Sequence, residues 1–205
     1  MSHPAADRIV GLYQAHARNW INDRGVDLYR GAGGPDEGLW LDRFLEGLPS
    51  GCSILDVGCG SGWPIGAALL ARGCTVLGLD AAPALIDHAR RTLPAGGWEA
   101  ADMRERLPPG PFDGVLAWHS LFHLTPDDQR HVLPRLAARV GPGGRLMFTS
   151  GPAHGDTLGE WLGEPLYHGS LDPSEYRALL AEAGLAVDAA GDGVWLARRA
   201  ILSAK

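Results

Sequence analysis

Three glycines at alternate positions, Gly58, Gly60 and Gly62, follow a short apolar run that carries an aspartate, Ile54-Leu55-Asp56-Val57. Glycine this dense behind a strand-like run is what a backbone needs to turn sharply and admit a ligand against itself. Trp63-Pro64 then opens a helical stretch, where proline suits a first position and free N–H groups face the loop. By itself the glycine spacing serves dinucleotide and other nucleoside sites alike. Leu79-Asp80, 20 residues beyond Gly60, ends a second apolar run, where a carboxylate can accept from both hydroxyls of a ribose. Asp102 ends a third run, within reach of an adenine amino group. A single strand-end aspartate is as readily a helix N-cap. Three on successive strands point to a nucleoside.

The elements that would position these carboxylates are legible as short apolar strands alternating with helices. Strands are predicted at 53–57, 74–79, 97–101, 113–118 and 144–149, with helices near 63–72, 83–92 and 126–140. Such alternation implies a mostly parallel sheet with helices on both faces. The tail differs, with a helix over 173–183 and strands over 185–189 and 193–199 around Gly191-Asp192-Gly193, which is hairpin chemistry. The prediction is therefore an α/β, Rossmann-like, doubly wound sheet of seven strands, mostly parallel, closed by an antiparallel C-terminal hairpin strand. Upstream, residues 5–20 place Ile9, Leu12, Tyr13, His16 and Trp20 near helical spacing. The glycine-rich Gly31 to Gly38 follows, then a second helix marked by Leu39, Leu41, Phe44, Leu45 and Leu48. A single domain is expected, divided into a helical cap (1–48), a ligand-binding core (49–150) and a wall loop, helix and closing strands (151–205).

Bulk composition removes other chemistries. A net charge of −6 argues against a nucleic-acid or membrane-surface partner. The only lysine is Lys205, so no Schiff-base lysine or GK[ST] phosphate loop exists. Cys52, Cys59 and Cys74 fit no zinc or CxxC spacing and read as reduced thiols. No apolar run approaches a membrane span and no leader pattern opens the chain, so a cytoplasmic protein is expected. A monomer or homodimer is expected.

In their order, these motifs resemble the class I S-adenosylmethionine-dependent methyltransferases of small-molecule type. "LDVGCGSG" is similar to that family's glycine loop, "GLDAAPALIDHAR" to its ribose-binding strand and helix, and "ADMRE" to its adenine-contacting turn. "PFDGVLAWHSLFHL" and "VGPGGRLMFTS" resemble the fourth and fifth strands. The resemblance spans roughly residues 36–150. It implies an S-adenosylmethionine site built from Asp56, Gly58, Gly60, Asp80, Ala81, Asp102 and Met103, with Asp56 facing the methionine ammonium and S-adenosylhomocysteine as product. Trp118 and Trp20 are assigned to the cofactor as well. Many similar sequences carry an acid where Trp63 stands and another in place of His119. A dehydrogenase is the lesser alternative, because GCGSGW lacks a glycine or alanine at the third dinucleotide position.

Methyl transfer from a sulfonium is an in-line displacement, needing alignment and, for a protonated acceptor, a base. His119, beside the expected methyl position, is the candidate base, with substrate orientation as its other role. The i,i+4 pair His119 and His123 has no third ligand in sequence, so no metal is expected. His131 is assigned to the surface. Tyr13, His123, His154, Tyr167 and His168 are assigned to the acceptor. The last three sit near or within 151–171, which is long for a connection and is expected to be a substrate-wall loop. No [DNS]PP[YFW] follows strand four, which favours a small-molecule O- or N-nucleophile over nucleic acid, in a setting such as secondary metabolism. The alternatives are a protein that binds S-adenosylmethionine without turnover, or one using it for another reaction such as cyclisation.

Overall fold

The computed structural model describes residues 3–29 and 34–201. Gly31 to Gly33 and Lys205, both singled out above, lie outside the described residues.

Seven strands form one sheet in the order β3-β2-β1-β4-β5-β9-β8. β1 (Ser53–Val57), β2 (Thr75–Asp80), β3 (Gly97–Ala100), β4 (Phe112–Ala117) and β5 (Val140–Thr149) run parallel. β9 (Val194–Arg199) pairs antiparallel with both β5 and β8 (Leu185–Gly191), so the C-terminal hairpin closes the sheet as expected. Successive side chains alternate across the sheet. Leu55, Val57, Val115, Leu146 and Phe148 pack with α7 (Pro126–Ala137) and α8 (Pro173–Glu182) on one face. Ile54, Val76, Leu116 and Met147 pack with α4 (Glu37–Leu45), α5 (Ile65–Ala71) and α6 (Pro83–Thr92) on the other. The switch point lies between β1 and β4, where the order reverses, and ligands of such sheets bind beyond the carboxyl ends there.

Two regions differ from the sequence-based expectation. The N-terminal stretch is three short helices, α1 (Pro4–Asp7), α2 (Ile9–Ala15) and α3 (Ala17–Arg24), because Arg8 and His16 break the helical run. Residues 151–171, expected as a substrate-wall loop, contain a second, two-stranded antiparallel sheet of β6 (Gly155–Trp161) and β7 (Glu164–Ser170). Its turn residues Leu162 and Gly163 have φ of 54° and 77°, the pair of positive values a type I′ hairpin requires. Buried Gln129 of α7 donates to the carbonyls of Leu124 and Gly169, fixing β7 to the loop beyond β4.

The hairpin is fastened to the N-terminal helices. Glu164 accepts from Arg8 at 2.7 Å and lies 3.1 Å from His16 Nε2, and the Trp161 indole donates to Asp23 at 3.2 Å. Cap and hairpin are one covering layer built from both ends of the chain. Cys52 and Cys74 are buried with sulfurs 3.3 Å apart, and Cys59 is half-buried.

Candidate active site

The glycine loop turns because all three glycines are left-handed, with φ of 75°, 57° and 76° at Gly58, Gly60 and Gly62. The N–H groups of Gly58 and Cys59 donate to the Leu79 carbonyl, and Gly60 N–H donates to Asp80 at 2.8 Å. Asp80 thus grips the loop with one oxygen while the other accepts from Ala82 N–H at 2.8 Å. A Cβ at Gly58 would sit 2.2 Å from Ser120 Cβ, and one at Gly60 3.0 Å from the Trp20 indole nitrogen. The loop is bare where the cap and the β4 end come closest.

Beyond these strand ends lies a cavity of about 760 Å³, partly open to solvent. Gly58, Gly60, Asp80, Ala81, Asp102, Met103, Trp20, Tyr13, His119 and His123 all line it, so the structure brings together ten residues singled out from sequence. Five others lie off its wall. Trp118 is buried behind the β4 end, its indole donating to Glu37, and Tyr167 is buried against Ala6 and Ile9. His154 and His168 line a separate cavity between the hairpin and the β5 end. Asp56 lies beneath the loop rather than on the cavity wall, 2% exposed, and its Oδ2 has no hydrogen-bond partner. Trp63 also stays off the wall, its indole donating to Thr92 of α6.

Charges around the cavity are mostly acidic. Burial, helped by the nearby Asp80 carboxylate, raises Asp56 to about 7. Asp80 is raised by burial too, although the Ala82 and Gly60 N–H groups counter it. Burial pushes Asp102 up as well, but Arg104 reverses this: its side chain spans both carboxylate oxygens at 2.6–3.0 Å and its N–H donates at 2.9 Å, leaving Asp102 below the usual range. Burial holds His119 and His123 down to about 4, so both imidazoles are neutral at pH 7.

His119 holds φ of 50°, a left-handed conformation uncommon outside glycine, at the end of β4. Its N–H donates to Thr149 Oγ1 at 2.8 Å, and its Nε2 lies 3.9 Å from Glu37. Glu37 is a buried carboxylate beside His119 that the sequence did not single out. Only 1% exposed, it accepts from Arg24 at 2.5 Å, Trp118 at 2.8 Å and Tyr29 N–H at 2.7 Å. It joins the cap to the strand end that presents His119. The single available signal was an acid just before an apolar helix, which reads equally as a solvated first turn.

Among the described residues no group of three or more His, Cys, Asp or Glu side chains is placed to hold a metal, and no helix is long and apolar enough to cross a membrane.

Residues 54–144 match a family model described as a methyltransferase domain. A trans-aconitate 2-methyltransferase of Methylobacterium nodulans is 32% identical over 159 residues, 69% of this chain and 60% of that protein. A 27-O-demethylrifamycin SV methyltransferase of Amycolatopsis mediterranei is 33% identical over 169 residues, 74% of this chain and 61% of that protein. The matches thus span about three fifths of these two relatives' lengths. Among solved structures, an amino pentose methyltransferase from Micromonospora echinaspora with bound S-adenosylmethionine superposes with a TM-score of 0.64 at 22% identity, covering 92% of this chain and 96% of that one. Magnesium protoporphyrin IX methyltransferase from Synechocystis, with bound S-adenosylhomocysteine, gives 0.68 at 15% identity, covering 96% and 100%.

Proposed function

We propose that the chain, whose residues 54–144 match a methyltransferase-domain family model and whose fold is that of the class I methyltransferases, transfers a methyl group from S-adenosylmethionine to a small-molecule oxygen or nitrogen nucleophile. The observation that carries this is the convergence of Gly58, Gly60, Asp80 and Asp102 on one cavity, from the ends of three successive strands.

The residues fit the cofactor. Asp56 supplies a buried carboxylate oxygen without a partner, suited to an ammonium above the loop. Gly58 and Gly60 leave room that a Cβ would fill. Asp80 retains lone pairs for ribose hydroxyls beside those taken by Gly60 and Ala82. Met103 and Ala81 provide apolar surface for a purine, with Asp102 at its edge. When bound, S-adenosylmethionine supplies an electrophilic methyl on a sulfonium. Trp20 and Tyr13, backed by Trp161 of the hairpin, wall one side of the cavity, and neutral His119 is placed to orient the acceptor or take its proton.

Titration calorimetry with S-adenosylmethionine and S-adenosylhomocysteine tests the cofactor site, using Asp80→Ala as control. Losing charge-assisted bonds to two hydroxyls costs about 3 kcal/mol or more, roughly a hundredfold in affinity. Unchanged binding by Asp80→Ala contradicts this placement of the ribose.

A further inference from the structure

The polarity of one buried hydrogen-bond chain narrows the acceptor. His123 Nδ1 lies 2.9 Å from the Tyr167 carbonyl, and His123 Nε2 lies 2.9 Å from the Tyr13 hydroxyl. A carbonyl oxygen can only accept, so Nδ1 carries the proton of the neutral imidazole. Nε2 is then bare and must accept, which commits the single Tyr13 hydroxyl proton to His123. Tyr13 stands among the cavity-lining residues, so its oxygen has only lone pairs left for whatever enters. Buried Gln129 holds β7, and with it the Tyr167 carbonyl, in place, while Trp20 and Trp161 pack Tyr13 at ring-centroid distances of 5.3 and 5.6 Å.

Resting on the methyltransferase reading above, we infer that Tyr13 is a specificity residue selecting an acceptor whose nucleophilic atom carries a hydrogen, a hydroxyl or an amine, and disfavouring a carboxylate. A second observation agrees independently. Arg104 is the only lysine or arginine among the described residues that line the cavity, and it already spans both oxygens of Asp102. The lining histidines are neutral, so among the described lining residues an anionic acceptor would find acids and lone pairs but no unpaired cation. The hydrogen bond itself makes no covalent bond and moves no proton; it sets which partner can sit beside the methyl.

Side-chain ¹⁵N NMR of the protein loaded with S-adenosylhomocysteine decides this. His123 should show a protonated Nδ1 and a bare Nε2 from pH 6 to 8. A proton on Nε2 overturns the inference. Phenol and aniline, used as donor probes, should each shift the His123 Nε2 resonance, and Tyr13→Phe should abolish the response. Benzoate at the same concentration should leave the resonance in place. A benzoate response equal to that of phenol, or no response to either donor, also overturns it. Should calorimetry show no S-adenosylhomocysteine binding, the methyltransferase reading falls instead, and the His123 tautomer in the free protein still reports on Tyr13.

Discussion

Replacing Glu37 by glutamine keeps the side chain's shape and removes its charge, which isolates what this buried carboxylate does. One oxygen serves both Arg24 and Trp118, and the other takes the Tyr29 N–H. An amide has one acceptor oxygen and one donor group. The better orientation keeps the oxygen on Arg24 and Trp118 and turns the NH₂ against the Tyr29 N–H. That sets a donor against a donor at the part-buried Tyr29 N–H, costing about 1–3 kcal/mol. Arg24, 16% exposed, also loses its counter-charge, and breaking a buried pair typically costs about 3–5 kcal/mol. Because Arg24 can recover some water, which offsets part of the pair penalty, we expect a total somewhat below the sum of the two lower bounds, about 3 kcal/mol. At roughly 2–4 °C per kcal/mol for a chain of this size, Tm should fall by about 6–12 °C in thermal unfolding followed by circular dichroism. Adding Arg24→Gln should recover part of that loss, since it removes the stranded charge. A Glu37→Gln protein melting within about 2 °C of the parent would refute the argument that Glu37 clamps cap to core.

Other expectations follow from the same geometry. Asp56, raised to about 7, is about half protonated at pH 7; an ammonium placed over it favours the carboxylate. Binding of S-adenosylhomocysteine should therefore release protons near pH 7 and tighten as pH rises through that value, seen by calorimetry in buffers of different ionisation heat and lost in Asp56→Asn. Buried His123 has its folded pKa depressed to about 4 from 6.5, so its contribution to stability is complete above pH 6.5 and lost as pH falls toward 4. Asp56 acts in the opposite sense, stabilising below 3.8 and losing that contribution as pH rises through 7. Denaturant titrations should accordingly show a steeper acid-side loss in Asp56→Asn than in the parent. His119→Asn, which tolerates the left-handed backbone, should spare S-adenosylhomocysteine affinity and lower turnover by roughly a hundredfold or more if His119 is the base. Equal loss of both would make His119 a cofactor contact. Gly58→Ala combines φ of 75° with a 2.2 Å approach to Ser120, so binding and stability should both drop, read by calorimetry and melting.

The parallel half of the fold was legible because its signals are periodic. Ile54 to Val57 and Val115 to Ala117 are buried runs, and Val76 to Leu79 is buried except at half-buried Leu77, with glycine, proline or a capping acid at their ends. The carboxylates at those ends read true because strand ends converge on one rim. The hairpin was not legible. β6 has no fully buried residue, so it shows no alternation, and its turn uses Leu162-Gly163 in place of asparagine-glycine. Glu37 was hidden for a related reason: burial of a carboxylate depends on Arg24 and Trp118, one 13 and one 81 residues away. His168 and Tyr167 were singled out for their side chains. The structure uses the Tyr167 carbonyl instead, an atom that every residue carries.

The tie between Arg8 and Glu164 joins positions 156 apart, whereas the cofactor cradle lies within β1 to β5. During synthesis from the N-terminus, the cradle's strands are complete before the hairpin has emerged. A ribosome-bound chain would hold a nucleoside-shaped groove that is still open to water. On the proposed reading, selectivity toward an acceptor would be the last property to arrive, set only when the hairpin closes onto helices made first.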